Sequence, residues 1–301
     1  MKKHFFVIIP IFSLLAFFPF QCGVLNREAG VFKSEDSGET FTQKVSVDKK
    51  NSLASANILT IEIDSHDSKI IYLGARGDGI YKSHNAGESW QKLEDKNKAL
   101  SSRANVYDIA TDIQNPDRLY IGAYQDNKGR VFRSQNAGQS WEEVYIVSKE
   151  KYGIFSVAVD NYDPSIVYIG TTQGGFLKST DYGKSWRLLR WFDDAISDVI
   201  INPQDTRIVY VSAFDKGIYR TVDKGITWQS FEEALREFRE GEKVGKLIID
   251  SQRPNIIYAA SEYGLLRSSN SGQTWQSVNI IVPPGSAPIL SLAVDQQNTD
   301  H

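Results

Sequence analysis

The chain has 301 residues and a formal net charge of -3, from 34 Lys and Arg against 37 Asp and Glu, with one Cys and four His. This near balance of charge excludes the strongly basic face that a nucleic-acid backbone requires, so we expect no nucleic acid as a partner. One Cys excludes an internal disulfide, and the four His share no metal-ligand spacing. We therefore expect no metal site and no cofactor.

The first predicted element is an export signal over residues 1–22. Two lysines precede an uncharged, almost wholly apolar run over residues 5–20, which has the length of a signal h-region and is short for a membrane-spanning helix. Cys22 follows this run as the lipidated Cys of a bacterial lipoprotein does, although Gln21 stands where a small residue is typical. Lipidation, ordinary cleavage and an uncleaved anchor all stay open. We expect residues 23–301 to be extracytoplasmic, periplasmic or at the cell surface, and to meet the membrane only through this N-terminus.

An eight-residue motif, the box, recurs six times in the rest of the chain. It reads Ser/Thr-x-Asx-x-Gly-x-Ser/Thr-aromatic and starts at Ser34, Ser83, Ser134, Ser179, Thr221 and Ser268. Its copies are roughly 40 to 50 residues apart, which is the length of one four-stranded propeller blade. The recurrence therefore predicts a repeat architecture.

Three further segments of each repeat read as short strands, because they are rich in β-branched and aromatic residues. Each of the last five boxes is preceded by an inner strand, a run built on Tyr, and a strand that follows a Gly-containing turn. The inner strands are predicted over residues 59–63, 106–110, 154–159, 196–201 and 244–249. With the strand after the box, each repeat has four strands.

The box is predicted to be structural because of how its third position varies. This position is Asp36, Asp181 and Asp223 in three copies but Asn85, Asn136 and Asn270 in the others, so a negative charge is not the requirement. A side-chain oxygen that accepts backbone N–H groups is common to both residue types, and the Gly that follows allows a positive φ. The last position is Trp in five copies, and burial of each ring would contribute about 4–6 kcal/mol. A basic residue precedes every box, and we expect these six to form a solvated or salt-bridged outer face.

These repeats resemble the Asp-box (BNR) family, whose motif lies between the last two strands of propeller blades. The resemblance covers the chain after residue 28. The strand phrasing is similar to that of sortilin-type and xyloglucanase-type propellers and, less closely, to the photosystem II stability and assembly factor. Sialidases share the box and the fold, but the chain lacks an N-terminal Arg-Ile-Pro motif, so their activity is not implied.

We predict an all-β fold, a single β-propeller over residues 23–301 with six visible blades, five complete and one composite. In the composite blade, residues 30–43 would supply outer strands and residues 289–294 the innermost strand, which removes open sheet edges. The chain stops at His301, before the next Tyr-bearing strand would begin. We expect either a composite blade that lacks one strand or a longer natural chain with as many as seven blades.

Ligand-face candidates come from two sets of loops that meet at one mouth of a propeller channel. Trp191 is the only Trp outside a box, and exposed aromatic residues beside carboxylates suit sugar stacking or protein anchoring. The alternative is that Trp191 and Phe192 cover the end of the core. Asp193 and Asp194 are adjacent, which is a weak basis for an acid and base pair. The candidates are Arg76, Tyr124, Gln125, Tyr152, Trp191, Asp193, Asp194, Phe214 and Tyr263, and no catalytic residue is predicted.

An insertion over residues 231–242 places Phe231, Leu235 and Phe238 at helical spacing. We predict one short amphipathic helix. Packing onto the blades is the favoured interpretation, and binding of a partner is the alternative.

The sequence favours an exported, monomeric, non-enzymatic binding module or assembly scaffold that presents a loop-lined face to a protein, peptide or glycan. A glycoside hydrolase or lyase acting at the propeller mouth is the second hypothesis. A structural module of a longer cell-surface protein is the third.

Overall fold

The computed structural model describes residues 5–9, 30–35, 40–48 and 51–280, together with residues 283, 285, 286 and 289. These residues form one three-stranded sheet and five four-stranded sheets, all antiparallel. Within the described ranges, no helix is long and apolar enough to span a bilayer.

The sheets follow one another in chain order. The N-terminal sheet joins β1 (Phe5–Ile9), β2 (Gly30–Ser34) and β3 (Thr42–Gln43). Blade 1 contains β4 (Ile58–Ile63), β5 (Ile71–Ala75), β6 (Gly79–Ser83) and β7 (Gln91–Lys92), and blade 2 contains β8 (Asn105–Thr111), β9 (Leu119–Gln125), β10 (Lys128–Ser134) and β11 (Glu142–Ile146). Blade 3 contains β12 (Ile154–Val159), β13 (Val167–Thr171), β14 (Gly175–Ser179) and β15 (Arg187–Trp191). Blade 4 contains β16 (Ile196–Ile201), β17 (Val209–Ala213), β18 (Gly217–Thr221) and β19 (Gln229–Ser230), and blade 5 contains β20 (Val244–Ile249), β21 (Ile257–Ser261), β22 (Leu265–Ser268) and β23 (Gln276–Ser277).

The first strands of the five blades surround a common axis. The strands β4, β8, β12, β16 and β20 contact one another in that order. Lys246 on β20 also lies 4.0 Å from Asp108 on β8, although two blades separate these strands in the chain. The predicted all-β propeller with four-stranded blades is therefore confirmed.

The described residues form five four-stranded blades and an incomplete, three-stranded N-terminal sheet, and so not exactly the six blades predicted. In the N-terminal sheet β2 pairs with β1, with Val7 opposite Phe32, and with β3. The Phe-Phe-Val-Ile-Ile sequence of β1 has the β-branched and aromatic character that suits a strand. Residues 290–294 and Cys22 lie outside the described residues, and the export signal stays a prediction.

Adjacent blades pack closely because the second strand of each blade carries a small residue where the inner strand of the next blade approaches it. A Cβ atom on Gly170 would lie only 2.3 Å from Ile196 Cγ2 of the next blade. Gly74 and Gly122 occupy the same register position in blades 1 and 2, as Ser212 and Ala260 do in blades 4 and 5. The Gly of the Tyr-x-Gly motif, or the small residue that replaces it, thus allows neighbouring blades to pack closely.

Within the box, the Asx side chain closes the turn in the same way whether it is Asp or Asn. Asn136 Oδ1 accepts the Ser140 N–H at 2.9 Å, and Asn136 Nδ2 donates to the Ser140 hydroxyl at 2.8 Å. Asp181 Oδ1 accepts the Ser185 N–H at 2.9 Å, and its Oδ2 accepts from the Ser185 hydroxyl at 2.5 Å. The hydroxyl can act as donor or acceptor, so both residue types fit. Asp36 lies outside the described residues.

Two consecutive left-handed residues complete each described box turn. Gly138 has φ 85, as the motif predicts, but the preceding Ala137 has φ 54 without being glycine. The residue in that place in the next blade, Tyr182, offers its carbonyl to Tyr120 Oη at 3.1 Å and Arg133 Nη1 at 2.5 Å. The Ser271 carbonyl accepts from Tyr210 and Arg220 in the same way, so the boxes of blades 3 and 5 are tied to their preceding blades.

Two of the basic residues before the boxes form salt bridges, Lys33 with Glu88 at 2.7 Å and Arg133 with Glu142 at 2.6 Å. Lys33, Lys82 and Arg133 are buried, and Lys82 Nζ lies 5.0 Å from the centroid of the Tyr72 ring. The Tyr of the second strand provides an aromatic surface on which the cation packs. These three residues are therefore not solvated, whereas Lys178, Arg220 and Arg267 are half-buried.

Most box tryptophans are buried against the preceding blade. Trp90, Trp141 and Trp275 are buried, whereas Trp186 and Trp228 are half-buried. Trp186 Nε1 donates to the Val144 carbonyl on β11 at 2.9 Å, which ties the box of blade 3 to the outer strand of blade 2. The Trp positions thus join blades.

Replacement of Asn136 tests the turn chemistry. Asn136→Asp should leave the free energy of unfolding nearly unchanged at neutral pH, because the hydroxyl of Ser140 can reverse its role. Asn136→Ala should lower it by about 1–3 kcal/mol, because the turn N–H loses its acceptor. Urea unfolding of both variants measures the difference, and equal losses in the two would show that the oxygen is not what matters.

The insertion packs onto the propeller as expected, but its helix is short. α1 covers only Glu232–Leu235 and contacts β18. Phe231 and Leu235 are buried in the core between blades 4 and 5, and Phe238 packs against it. The charged residues after Leu235 continue as turns, so the predicted helix over 231–242 is too long.

Candidate functional site

Two sets of loops meet at one end of the propeller, which we call the loop face. The turns between second and third strands hydrogen-bond to the loops that join successive blades. Phe214 N–H donates to the Ala195 carbonyl at 2.9 Å, and Gly129 N–H donates to the Tyr152 carbonyl at 2.7 Å. The next inner strand starts from this face.

Each inner strand contains a β-bulge close to the loop face. The five bulged residues, which define the mouth, are Leu59, Tyr107, Phe155, Ser197 and Gly245. A bulge re-aims the side chain of the extra residue, and all five residues are partly exposed. The Tyr107 and Phe155 rings, from neighbouring blades, have centroids 4.5 Å apart. The mouth therefore has an aromatic pair on one side.

On the opposite side, the described residues leave space at the mouth. Among them, the nearest atom to a Cβ atom on Gly245 would be the Ala260 carbonyl oxygen at 3.9 Å. The small side chain of Ser197 is held against the chain by a hydrogen bond to the Val244 carbonyl at 2.6 Å. An aromatic side thus faces an unfilled side across the mouth.

Arg76 and Tyr124 flank the aromatic pair. Burial raises the pKa of the Tyr107 hydroxyl, whereas the positive charge of Arg76 lowers it and Tyr124 raises it further. Arg76 is exposed, and Tyr124 Oη donates to Asn127 Oδ1 at 2.6 Å. The described part of the chain therefore offers a cation next to two tyrosines at this side of the mouth.

The residue after each bulge forms a second layer, the channel ring. Its members are Thr60, Asp108, Ser156, Asp198 and Lys246. Asp108 Oδ2 accepts the Val157 N–H at 2.8 Å, Ser156 Oγ accepts the Val199 N–H at 2.9 Å, and Asp198 Oδ2 accepts the Leu247 N–H at 2.8 Å. Each of these side chains holds the inner strand of the next blade.

Lys246 is the cation of the channel ring. Its Nζ lies 3.0 Å from Asp198 Oδ1 and 4.0 Å from Asp108 Oδ1. Burial alone would lower the pKa of Lys246, but the carboxylates of Asp198 and Asp108 raise it above its usual range. Burial also raises the pKa of Asp108, against the effect of Lys246. The ammonium therefore holds two carboxylates together, and within the described ranges no three His, Cys, Asp or Glu side chains converge as metal ligands.

Glu62 on β4 lies next to this cluster and has a pKa close to neutrality. Burial within the channel raises its pKa to about 7, while the Thr111 hydroxyl, which donates to Glu62 Oε1 at 2.9 Å, opposes the shift. Nearby Asp108 adds to the rise and Lys246 reduces it. A carboxyl with this pKa can give or take a proton near pH 7.

Glu62 should make stability depend on pH in a defined window. Between its ordinary pKa of 4.5 and the folded value of about 7, the folded state keeps a proton that the unfolded chain loses, so the free energy of unfolding falls as pH rises. Glu62→Gln should remove this fall. Urea titrations across the window measure it, with the exposed Glu94→Gln as the control that should retain the wild-type slope.

Sequence reasoning missed Glu62 and the channel ring. The ring residues share a register position but no residue type, so comparison of the repeats gives no signal. The only available signal is a polar residue two positions into each apolar inner strand, which also fits an ordinary alternating strand.

The predicted ligand-face residues are dispersed over the loop face, and their role stays a prediction. Gln125 is engaged within the chain, since its Oε1 accepts the Ser101 N–H at 2.7 Å and its Nε2 donates to the Ala99 carbonyl. Asp194 accepts the N–H groups of Ala195 and Asp215, whereas Asp193 is exposed. Tyr152, Phe214 and Tyr263 are half-buried among the loops.

Trp191 and Phe192 lie in different environments. Trp191 ends β15, the outermost strand of blade 3, and is 46% exposed. Phe192 is buried and packs against Tyr219 and Trp228 at centroid distances of 4.9 and 5.3 Å. Only Phe192 therefore covers the core, and Trp191 lies at the outer rim.

No family model and no curated protein matches the sequence. Solved structures do resemble it. An ancestral GH74 enzyme matches with a TM-score of 0.58 and 18% identity over 78% of this chain and 32% of its own. A GH74 xyloglucanase from Xanthomonas campestris matches with a TM-score of 0.51 and 16% identity over 83% of this chain and 49% of its own. A structure of YCF48 bound to D1 peptide matches with a TM-score of 0.48 and 16% identity over 74% of this chain and 82% of its own.

These identities show a shared fold alone, and the YCF48 match is too distant to support more. The chain spans less than half the length of both GH74 enzymes. The chain therefore shares the β-propeller fold with these proteins, and the shared fold does not assign their activity to it.

Proposed function

We propose that this chain is a non-enzymatic binding module or assembly scaffold whose mouth takes a segment of a protein or peptide. The observation that supports it is the pairing of an aromatic side, Tyr107 and Phe155, with the open position at Gly245. A rigid aromatic pair provides apolar area at low entropic cost. The open side leaves room for the inserted group.

The channel beneath the mouth supports binding over catalysis. Asp108 and Asp198 are both held by backbone N–H groups and by Lys246. These contacts hold both carboxylates in place, so the ring presents groups that are already engaged within the chain. A ligand in the mouth would meet a fixed charge pattern on a rigid ring.

Gly245→Trp tests the proposal directly. The fold should accept the substitution, because the Cβ position is open, and the new side chain should fill the mouth. A random-sequence peptide display library panned on the wild type should yield binders that Gly245→Trp and Tyr107→Ala no longer retain. The matched control is Tyr162→Ala, since Tyr162 is 67% exposed in the loop after β12, at the other end of the propeller. Binders that survive Gly245→Trp, or a library that yields none, would contradict the proposal.

The second candidate is a glycoside hydrolase that acts from the mouth, and one observation favours it. Glu62 has a pKa of about 7 and lies near Asp108, and hydrolases use a pair of carboxyl groups as acid and base. Incubation with xyloglucan and other polysaccharides tests it. Release of reducing ends that Glu62→Gln abolishes would establish the hydrolase instead of the scaffold.

A further inference from the structure

The outer edges of the blades differ in length and character. The outermost strands β7, β19 and β23 have two residues each, whereas β11 and β15 have five. A long edge strand presents a row of backbone N–H and C=O groups to which another strand can add, and proteins normally protect such edges. The two long edges are therefore the places to look for a binding surface.

The edge at β11 is protected by partners from its own chain. Glu142 accepts from Arg133 Nε at 2.7 Å, and Glu143 pairs with Arg130. The Val144 carbonyl accepts from Trp186 Nε1 of the next blade. The charged side chains of β11 and one of its backbone carbonyl groups are thus already bound within the chain.

The edge at β15 carries exposed apolar side chains on one face. Leu188 pairs with Leu177, and Trp191 pairs with Gly175. Residues two apart in β14 share a face, so Leu188 and Trp191 lie on the same face of the sheet. They are 51% and 46% exposed.

The other face of this edge carries excess positive charge. Arg187 stands directly opposite Lys178, the position at which blade 2 pairs Glu142 with Arg133. Burial lowers the pKa of Lys178, the charges of Lys224 and Arg187 lower it further, and the charges of Asp160 and Asp163 partly oppose these effects. Arg187 itself is exposed. Like charges that face each other across a strand pair destabilise the sheet. An acidic side chain of a bound segment would reduce this repulsion.

We propose that β15 binds an extended peptide segment of a partner protein as an added fifth strand, with acidic and apolar residues alternating along the segment. Successive side chains of a strand point to opposite faces. One set would meet Leu188 and Trp191, and the other would meet Arg187. The backbone of β15 would supply the hydrogen bonds, as in other cases of strand addition. This surface is separate from the mouth.

A short synthetic peptide that alternates Glu and Val is the probe, and fluorescence anisotropy of the labelled peptide measures its binding. Arg187→Glu should weaken binding at least about tenfold, because a favourable charge contact becomes repulsive. Trp191→Ala should weaken it as well. The matched control is Ile146→Ala, at the equivalent position of β11, which should bind as the wild type does. Gly245→Trp should also leave this binding unchanged, which separates the result from that for the mouth.

The strand geometry has its own test. A probe N-methylated at alternate residues keeps its side chains but loses half of its donors, and it should not bind. Hydrogen exchange should slow at residues 187–191 when the unmodified probe is bound. Arg187→Gln, which keeps a polar side chain without the charge, serves if Arg187→Glu unfolds. Absence of binding, equal binding of a scrambled probe, or binding that is insensitive to N-methylation would overturn the proposal.

Discussion

Lys246→Met is expected to lower the free energy of unfolding by about 2–4 kcal/mol, less than the loss for a fully buried ion pair, because the side chain of Lys246 is 32% exposed while that of Asp198 is buried. Lys246 is the only counter-charge that the described residues place within 4.0 Å of Asp198 and Asp108. Methionine fills a similar volume, so the loss would come from the uncompensated carboxylates and not from a cavity. Urea unfolding monitored by tryptophan fluorescence measures the change.

Two further variants define the cause of that loss. Lys243→Met removes a lysine three residues away whose pairs with Glu240 and Glu262 lie at the surface, and it should change stability little. Asp198→Asn in the Lys246→Met background removes one unpaired charge while keeping an oxygen for the Leu247 N–H, so it should recover part of the stability. A Lys246→Met protein as stable as Lys243→Met would show that the channel charges do not hold the blades together.

Trp141→Ala should lower the free energy of unfolding by about 3–5 kcal/mol, as expected for deletion of a large buried ring. Trp141 is 1% exposed and packs in the core between blades 1 and 2 with Leu93 and Tyr72. Its backbone N–H also donates to Asp95 Oδ1 of blade 1 at 2.9 Å. The mutation would therefore weaken the contact between these blades. Guanidinium unfolding measures the loss.

Trp191→Ala is the matched control, because it deletes the same side chain at the exposed outer rim. Its effect should stay within about 0.5 kcal/mol, the usual range for surface positions. Similar losses in both variants would mean that the Trp of the box has no special role in joining blades.

The fold could be predicted from the sequence because the groups that build it recur as the same residue types. The Ser, Asx, Gly and Trp of the box and the Tyr of the second strand each solve one local problem, and each does so in every blade. The N-terminal sheet was not predicted correctly, because a run of Phe, Val and Ile fits a signal h-region and a strand equally well. Short apolar segments carry too little pattern to choose between them.

The candidate site was less accessible to sequence reasoning, for a physical reason. The mouth and the channel ring are set by bulges, and a bulge is a property of strand pairing that leaves no residue signature at positions as different as Tyr107 and Gly245. The loop-face candidates were chosen by residue type, and several, such as Gln125 and Asp194, are engaged by nearby backbone groups. Trp191, which the repeat does not explain, is exposed, and its role in binding stays a prediction.

The hydrogen bonds from the channel ring to the next blade affect how freely the sequence of each repeat can change during evolution. In all three hydrogen bonds the donor is a backbone N–H of the following repeat, at Val157, Val199 and Leu247. An amide is present whatever the side chain, so one repeat can drift in sequence without a compensating substitution in the next. Repeats that arose by duplication can therefore diverge in sequence independently of one another. Each can acquire its own surface residues while the packing between blades is kept.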